Sequence, residues 1–239
     1  MNMPTWLTVT LLTLMAGMAM PLGAIFARLE HIHPDWLEKE FRHSVMAFGG
    51  GALFSAVALV LVPEGIEELP AHYSVFWFVF GGFIFCGLDI LLARHKSPTT
   101  QLVAMLSDFI PEAMALGAAF STGGNTGLLL AILIGLQNLP EGFNAYREMN
   151  QRPNIPSLHI VLVFGLLALL GPVAGLGGYF FLAQFPAVVA AIKLIAGGGI
   201  LFLVFQDIAP QARLANTWAP ALGAVLGFAL GVLGHELLP

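Results

Sequence analysis

The chain has 239 residues, of which 58% are hydrophobic and only 10% are Asp, Glu, Lys or Arg, with a net charge of −5. Soluble domains carry about 25% charged residues, so so few charges cannot coat a globular surface, and the mean hydropathy of +0.86 points to lipid as solvent. A soluble enzyme, a nucleic-acid binder with its basic stripe and a disordered chain are excluded, and the single cysteine, Cys86, excludes a disulfide scaffold or a Cys-based zinc module.

A hydrocarbon core of about 30 Å takes about 20 apolar residues per helix. In chain order, apolar runs fall at 6–26, 44–62, 74–93, 101–120, 127–146, 159–182, 187–207 and 218–234. The expectation is an all-α integral membrane protein of eight transmembrane helices, forming one domain over 1–239 because the short connections leave no room for a soluble one. The first run reads as a span rather than a cleaved leader, since Met1 to Thr5 contain no Lys or Arg.

Basic residues set the orientation. Arg28, Lys39, Arg42, Arg94, Lys96, Arg147, Arg152 and Arg213 all fall in loops on one side of this arrangement. That places both termini outside the cytoplasm of a cell-membrane protein. The remaining base, Lys193, lies in the outer third of the seventh run and is expected to snorkel outward.

Most of the 14 acids lie in loops or near helix ends. Glu148 falls in the loop after the fifth run, Asp89 has Arg94 as a ready partner, and Glu64, Glu67 and Glu68 are placed to attract cations at the outer mouth. Asp108, Glu112 and Glu141 remain deep. At 1.5 Å per residue, Glu112, Gln137, Asp108 and Glu141 lie roughly 12, 15, 18 and 21 Å from the outer ends, one band near the midplane. Asp108 and Glu112 are spaced i, i+4 and share a helix face, as do Gln137 and Glu141 on the next helix. An intramembrane acid costs about 2.5–3.5 kcal/mol on insertion scales. No Lys or Arg shares that depth, so a cation is the natural countercharge. Protonated acids packing two helices, or a proton pathway, are the competing readings.

Prolines mark the same places. Pro111 and Pro140 precede Glu112 and Glu141, and a proline cannot donate to the carbonyl four residues back, here those of Ser107 and Leu136. Broken backbone is tolerated at depth where it lines a cavity or is buried in protein. Pro63-Glu64 and Pro210-Gln211 repeat the punctuation at opposite ends of the second and seventh runs. Such placement suggests an inverted repeat of helices 1–3 and 6–8 around central helices 4 and 5.

Eight spans, external termini and a polar central pair resemble the ZIP (Zrt/Irt-like) family of divalent metal transporters. That family's fourth helix typically carries His-Asn-x-Pro-Glu-Gly and its fifth His-Glu-x-Pro-Glu-Gly, or Gln-Asp in place of His-Glu. Here the positions read Asp108-Phe109-Ile110-Pro111-Glu112-Ala113 and Gln137-Asn138-Leu139-Pro140-Glu141-Gly142. The resemblance implies a central metal site of Asp108, Glu112, Gln137 and Glu141. A second, adjacent site would draw on positions occupied here by Phe109, Asn138 and Gly171, so one site is implied, with Asn138 a weaker donor. Asp207-x-x-Pro210-Gln211 is similar to the family's seventh-helix motif, which makes Asp207 a candidate exit ligand. His31-x-His33 is similar to the family's His-rich cytoplasmic loop.

The implied function is transport of a divalent cation from outside into the cytoplasm. Zn²⁺ is the cargo the resemblance implies; an all-oxygen shell suits harder ions such as Mn²⁺ and Fe²⁺, and broad divalent selectivity, Cd²⁺ included, is expected. Beyond that metal and the lipid bilayer no cofactor and no nucleic acid is expected, and a homodimer is left open. The alternatives are a selective metal channel and a degenerate, non-transporting homologue acting as a metal sensor. An enzyme is not expected, since His-Glu-x-x-His and Gly-x-Ser-x-Gly are both missing from the sequence.

Overall fold

The structure, a computed structural model, describes residues 3–30, 40–95, 100–121, 126–150, 155–182, 184–214 and 217–237. Where no water reaches the backbone, amides and carbonyls must be satisfied within helices or closed barrels. The described residues form long helices: α1 (Thr5–Glu30), α2 (Arg42–Glu67), α3 (Ala71–His95), α4 (Thr100–Ser121), α5 (Thr126–Asn150), α6 (Ser157–Leu182), α7 (Pro186–Ala212) and α8 (Ala219–Leu237). Among the described residues, seven helices are long and apolar enough to cross a membrane, all of these except α4. α4 has 22 residues, a length of about 33 Å.

Each apolar run is found as a helix, and several helices outlast it. α5 continues past 146 to Asn150, α7 past 207 to Ala212 and α2 past 62 to Glu67. Once nucleated, a helix propagates through residues such as Arg147, Glu148 and Met149, which are good helix formers. α7 opens on Pro186, whose missing amide would have no partner in a first turn. α6 breaks at 168–169, just ahead of Gly171 and Pro172.

The heaviest contacts join α1 with α5, α2 with α8, α2 with α7, α3 with α7, α4 with α6 and α1 with α6, while α4 also packs on α5. Lipid gives apolar helices no reason to seek one another, so association rests on close packing at small residues. Here α1–α5, α2–α8, α3–α7 and α4–α6 are each joined by a glycine from each partner. An added Cβ would collide with a facing backbone carbonyl at Gly23 (Leu139) and Gly142 (Met20), at Gly51 (Ala224) and Gly227 (Phe48), at Gly81 (Ile195) and Gly198 (Phe78), and at Gly117 (Gly175) and Gly178 (Met114).

α2 and α7 share a local design. Gly49-Gly50-Gly51-Ala52-Leu53-Phe54 in α2 matches Gly197-Gly198-Gly199-Ile200-Leu201-Phe202 in α7. Each run is followed by a single π-helical turn, Val57–Leu61 and Val204–Ile208, and then by Pro63 or Pro210. The widened turn makes room for a pyrrolidine ring that would otherwise strike the carbonyl four residues earlier. α4 and α5, by contrast, carry Pro111 and Pro140 inside uninterrupted α-helix.

The glycine contacts are checked by thermal unfolding in detergent. Gly198→Ala, aimed at the Phe78 carbonyl, is expected to lose about 1–3 kcal/mol. Gly87→Ala, whose Cβ meets nothing within 4 Å, is expected to melt with the unaltered protein.

Candidate metal centre

Glu112 on α4 and Gln137 on α5 are both buried, at 4% and 1% exposure, in the interface between the two helices. Gln137 Nε2 donates to Glu112 Oε2 at 2.6 Å. That bond leaves Gln137 Oε1 buried without a partner, and Glu141 Oε2, one turn along α5, is buried without one as well. The carboxylates of Glu112 and Glu141 are near enough to feel each other's charge. Backbone places Asp108 one turn before Glu112 within α4, and its side chain lies outside the described residues. Among the described residues no three His, Cys, Asp or Glu side chains are gathered in a metal-holding group, so the observed cluster is two carboxylates and one amide.

Gln137 and Glu141 form the head of a cavity of about 280 Å³. Its α5 wall continues through Asn144 and Glu148, spaced i, i+4, i+7 and i+11 from Gln137, which is one helix face. Across from it stand Asp89 of α3 and Asp207 and Gln211 of α7, with Gly49 and Gly50 of α2. Gln206 Nε2 lies 3.4 Å from Asp89 Oδ2, and Asp89 and Asp207 lie close enough to interact electrostatically. Four acids and no Lys, Arg or His line this space among the described residues. It extends toward the end of the bundle where Arg42 begins α2, Arg147 closes α5 and Arg213 follows α7.

Several residues sit elsewhere than the sequence suggests. Glu148, expected in a loop, belongs to α5 and lines the cavity, because the helix outruns its apolar stretch. Asp89 faces the same cavity; the side chain of Arg94 lies outside the described residues. Lys193, expected to snorkel outward, is buried and forms an ion pair of 2.5 Å with Glu64. The ion pair also takes Glu64 from the group of acids expected to attract cations, leaving Glu67 and Glu68 exposed. Asn138 turns away from the cavity, donating to the Ala16 carbonyl of α1 at 3.0 Å, with Oδ1 buried and unpartnered. His31 and His33 lie outside the described residues.

Phe109 is fully buried, its ring tip wedged between α1 and α6. An added Cβ would lie 2.8 Å from that ring at Gly17 and 2.6 Å at Gly171. With Phe109 in place there is no room for an acidic side chain at 171. The polar stripe of Asn144 and Glu148 was the feature that sequence reading left unused, and its heptad-like spacing was the available signal.

No family model matches the chain.

The cavity predicts a labelling pattern. In a Cys86→Ala background, Asn144→Cys and Asp207→Cys are expected to react with a small membrane-impermeant thiol reagent from one side only. Asn138→Cys, fully buried against α1, is expected to stay unlabelled from either side.

Proposed function

We propose that the protein carries a divalent metal cation across a membrane, with Zn²⁺ the foremost cargo, through a site between α4 and α5. The observation that carries this reading is the pair of orphaned buried oxygens, Gln137 Oε1 and Glu141 Oε2, beside Glu112 and at the head of a cavity lined by acids without bases. An unpaired buried oxygen costs about 1–3 kcal/mol, and a hard or borderline cation bound by oxygen ligands removes that cost. Asp108, a turn from Glu112, would complete the ligand set. Hydrogen-bonded acids serving only to pack two helices would have used those oxygens on each other. The four-residue polar stripe from Gln137 to Glu148 continues the oxygen-lined route, with Asp207 near its mouth as the exit ligand.

Within this reading α4 is the eighth span, both termini are external and the cavity opens to the cytoplasm. The resemblance to the ZIP family agrees with these points, and Phe109 against Gly171 favours one metal site. The helix contacts support the inverted repeat. Exchanging α1 with α6, α2 with α7, α3 with α8 and α4 with α5 converts the α1–α5 contact into α6–α4 and the α2–α8 contact into α7–α3. The shared Gly-Gly-Gly-x-Leu-Phe runs and π-turns of α2 and α7 obey the same exchange. A carrier is favoured over an open channel because the end opposite the cavity is tied across by Lys193 and Glu64.

Uptake into proteoliposomes tests the reading. The unaltered protein is expected to accumulate Zn²⁺, Cd²⁺, Mn²⁺ or Fe²⁺ saturably, while Glu112→Ala and Glu141→Ala each reduce flux by at least about tenfold. Failure to move any of these ions, or normal flux in both variants, removes the assignment. Asp108→His is expected to shift preference toward Zn²⁺ over Mn²⁺, since imidazole suits the softer ion.

A further inference from the structure

A second concavity lies on the other side of the α2–α7 contact. It is a groove of about 620 Å³ between α2, α7 and α8, and its walls are almost wholly apolar. Its deep end is closed by Phe54 and Phe228, whose rings meet at 5.8 Å. Its other end carries Thr217 and the exposed Arg213, which no side chain neutralises among the described residues. From Pro220 to Phe228 along α8 the groove runs about 12 Å, close to the roughly 15 Å of hydrocarbon in one leaflet. One end is therefore at headgroup level and the other near the bilayer centre.

We propose that this groove binds one acyl chain of an anionic glycerophospholipid, with Arg213 holding the phosphate. Three features select that occupant over the annular lipid that covers any membrane helix. The surface is concave rather than flat, its length matches a single leaflet, and its one charge is positive and placed where a headgroup phosphate would lie. Basic pockets between membrane helices on the positively charged side recognise anionic lipids in this way. A partner helix would have to bury Arg213 against lipid, whereas a phosphate satisfies it.

The groove is not remote from the acid-lined cavity. Gly50 and Ile208 line both, and an added Cβ at Gly50 would meet Ile208 Cγ2 at 2.8 Å. That contact is the partition between them, so a bound acyl chain presses on the cavity wall from behind. The lipid site itself needs only a membrane and stands whether or not the protein transports metal.

Native mass spectrometry of the full chain, released from micelles doped equally with phosphatidylglycerol and phosphatidylcholine, tests the proposal. One phosphatidylglycerol is expected to be retained at several times the occupancy of phosphatidylcholine. Arg213→Gln is expected to abolish the preference, and Ala221→Phe, which fills the groove from an exposed position, to abolish retention of that lipid. Both variants should melt with the unaltered protein, which separates loss of the site from misfolding. Equal occupancy of the two lipids in the unaltered protein, or undiminished phosphatidylglycerol in either variant, overturns it.

Discussion

Backbone-to-backbone approach at glycine is the constraint on which the rest of this structure depends. In water, burying apolar side chains would hold the bundle together; in lipid that force is missing and close packing must replace it. The protein meets this by placing a glycine on each side of four of its main helix contacts, so that each helix lays a carbonyl against its partner where a Cβ would have stood. The pairs thus locked are α1–α5, α2–α8, α3–α7 and α4–α6. The acid-lined cavity lies where members of different pairs meet, with walls from α2, α3, α4, α5 and α7. There the contacts run through side chains, as Gly49 against Pro140 and Gly50 against Ile208 illustrate.

Three acids within the helices show the difference between a carboxylate that is given a countercharge and carboxylates that are not. Glu64 is given a countercharge in Lys193, a buried base on the neighbouring helix, although its Oε1 is also buried without a hydrogen-bond partner; removing one partner of such a pair generally costs about 3–5 kcal/mol. Glu112 receives only an amide hydrogen bond from Gln137, and Glu141 keeps a buried oxygen without any donor. The same chain could have supplied a base at this depth and has none. A cation from outside the chain is the economical explanation for the difference, and it motivates the transport reading more strongly than the motif resemblance does.

Helix position was legible from sequence; azimuth was not. Hydropathy located every helix, and i, i+4 spacing placed Gln137 and Glu141 on one face, as their shared cavity bears out. Yet the same spacing extends through Asn144 and Glu148, and hydropathy assigns Glu148 to a loop because apolarity stops before the helix does. Lys193 departs from expectation for a related reason. Its depth allowed snorkelling, and only the packing of α7 beside the end of α2 supplies the acid that holds it inside. Asn138, adjacent in sequence to Gln137, points about a quarter-turn away and binds α1 instead. The glycine runs at Gly49 and Gly197 signalled close packing, but which carbonyl or ring each would meet depends on tertiary contacts that no local pattern encodes.

The proposed exchange of helices has a consequence at the two ends of α2 and α7. It maps Pro63-Glu64 onto Pro210-Gln211, each just beyond a π-turn. Gln211 stands in the wall of an open cavity, whereas Glu64 is bound to Lys193. If the halves are equivalent as proposed, alternating access trades their roles between two conformations. In this structure the half ending at Gln211 is the open one. For the other half to open, Lys193 must release Glu64, and the freed carboxylate would then stand where Gln211 now stands, lining an approach from the opposite side. The ion pair that looks structural in one conformation becomes, in the other, a carboxylate available to a cation. Under the proposed function, one buried charge pair would thereby close one side and supply the first ligand of the other, a role that fits its place beyond the proline of α2.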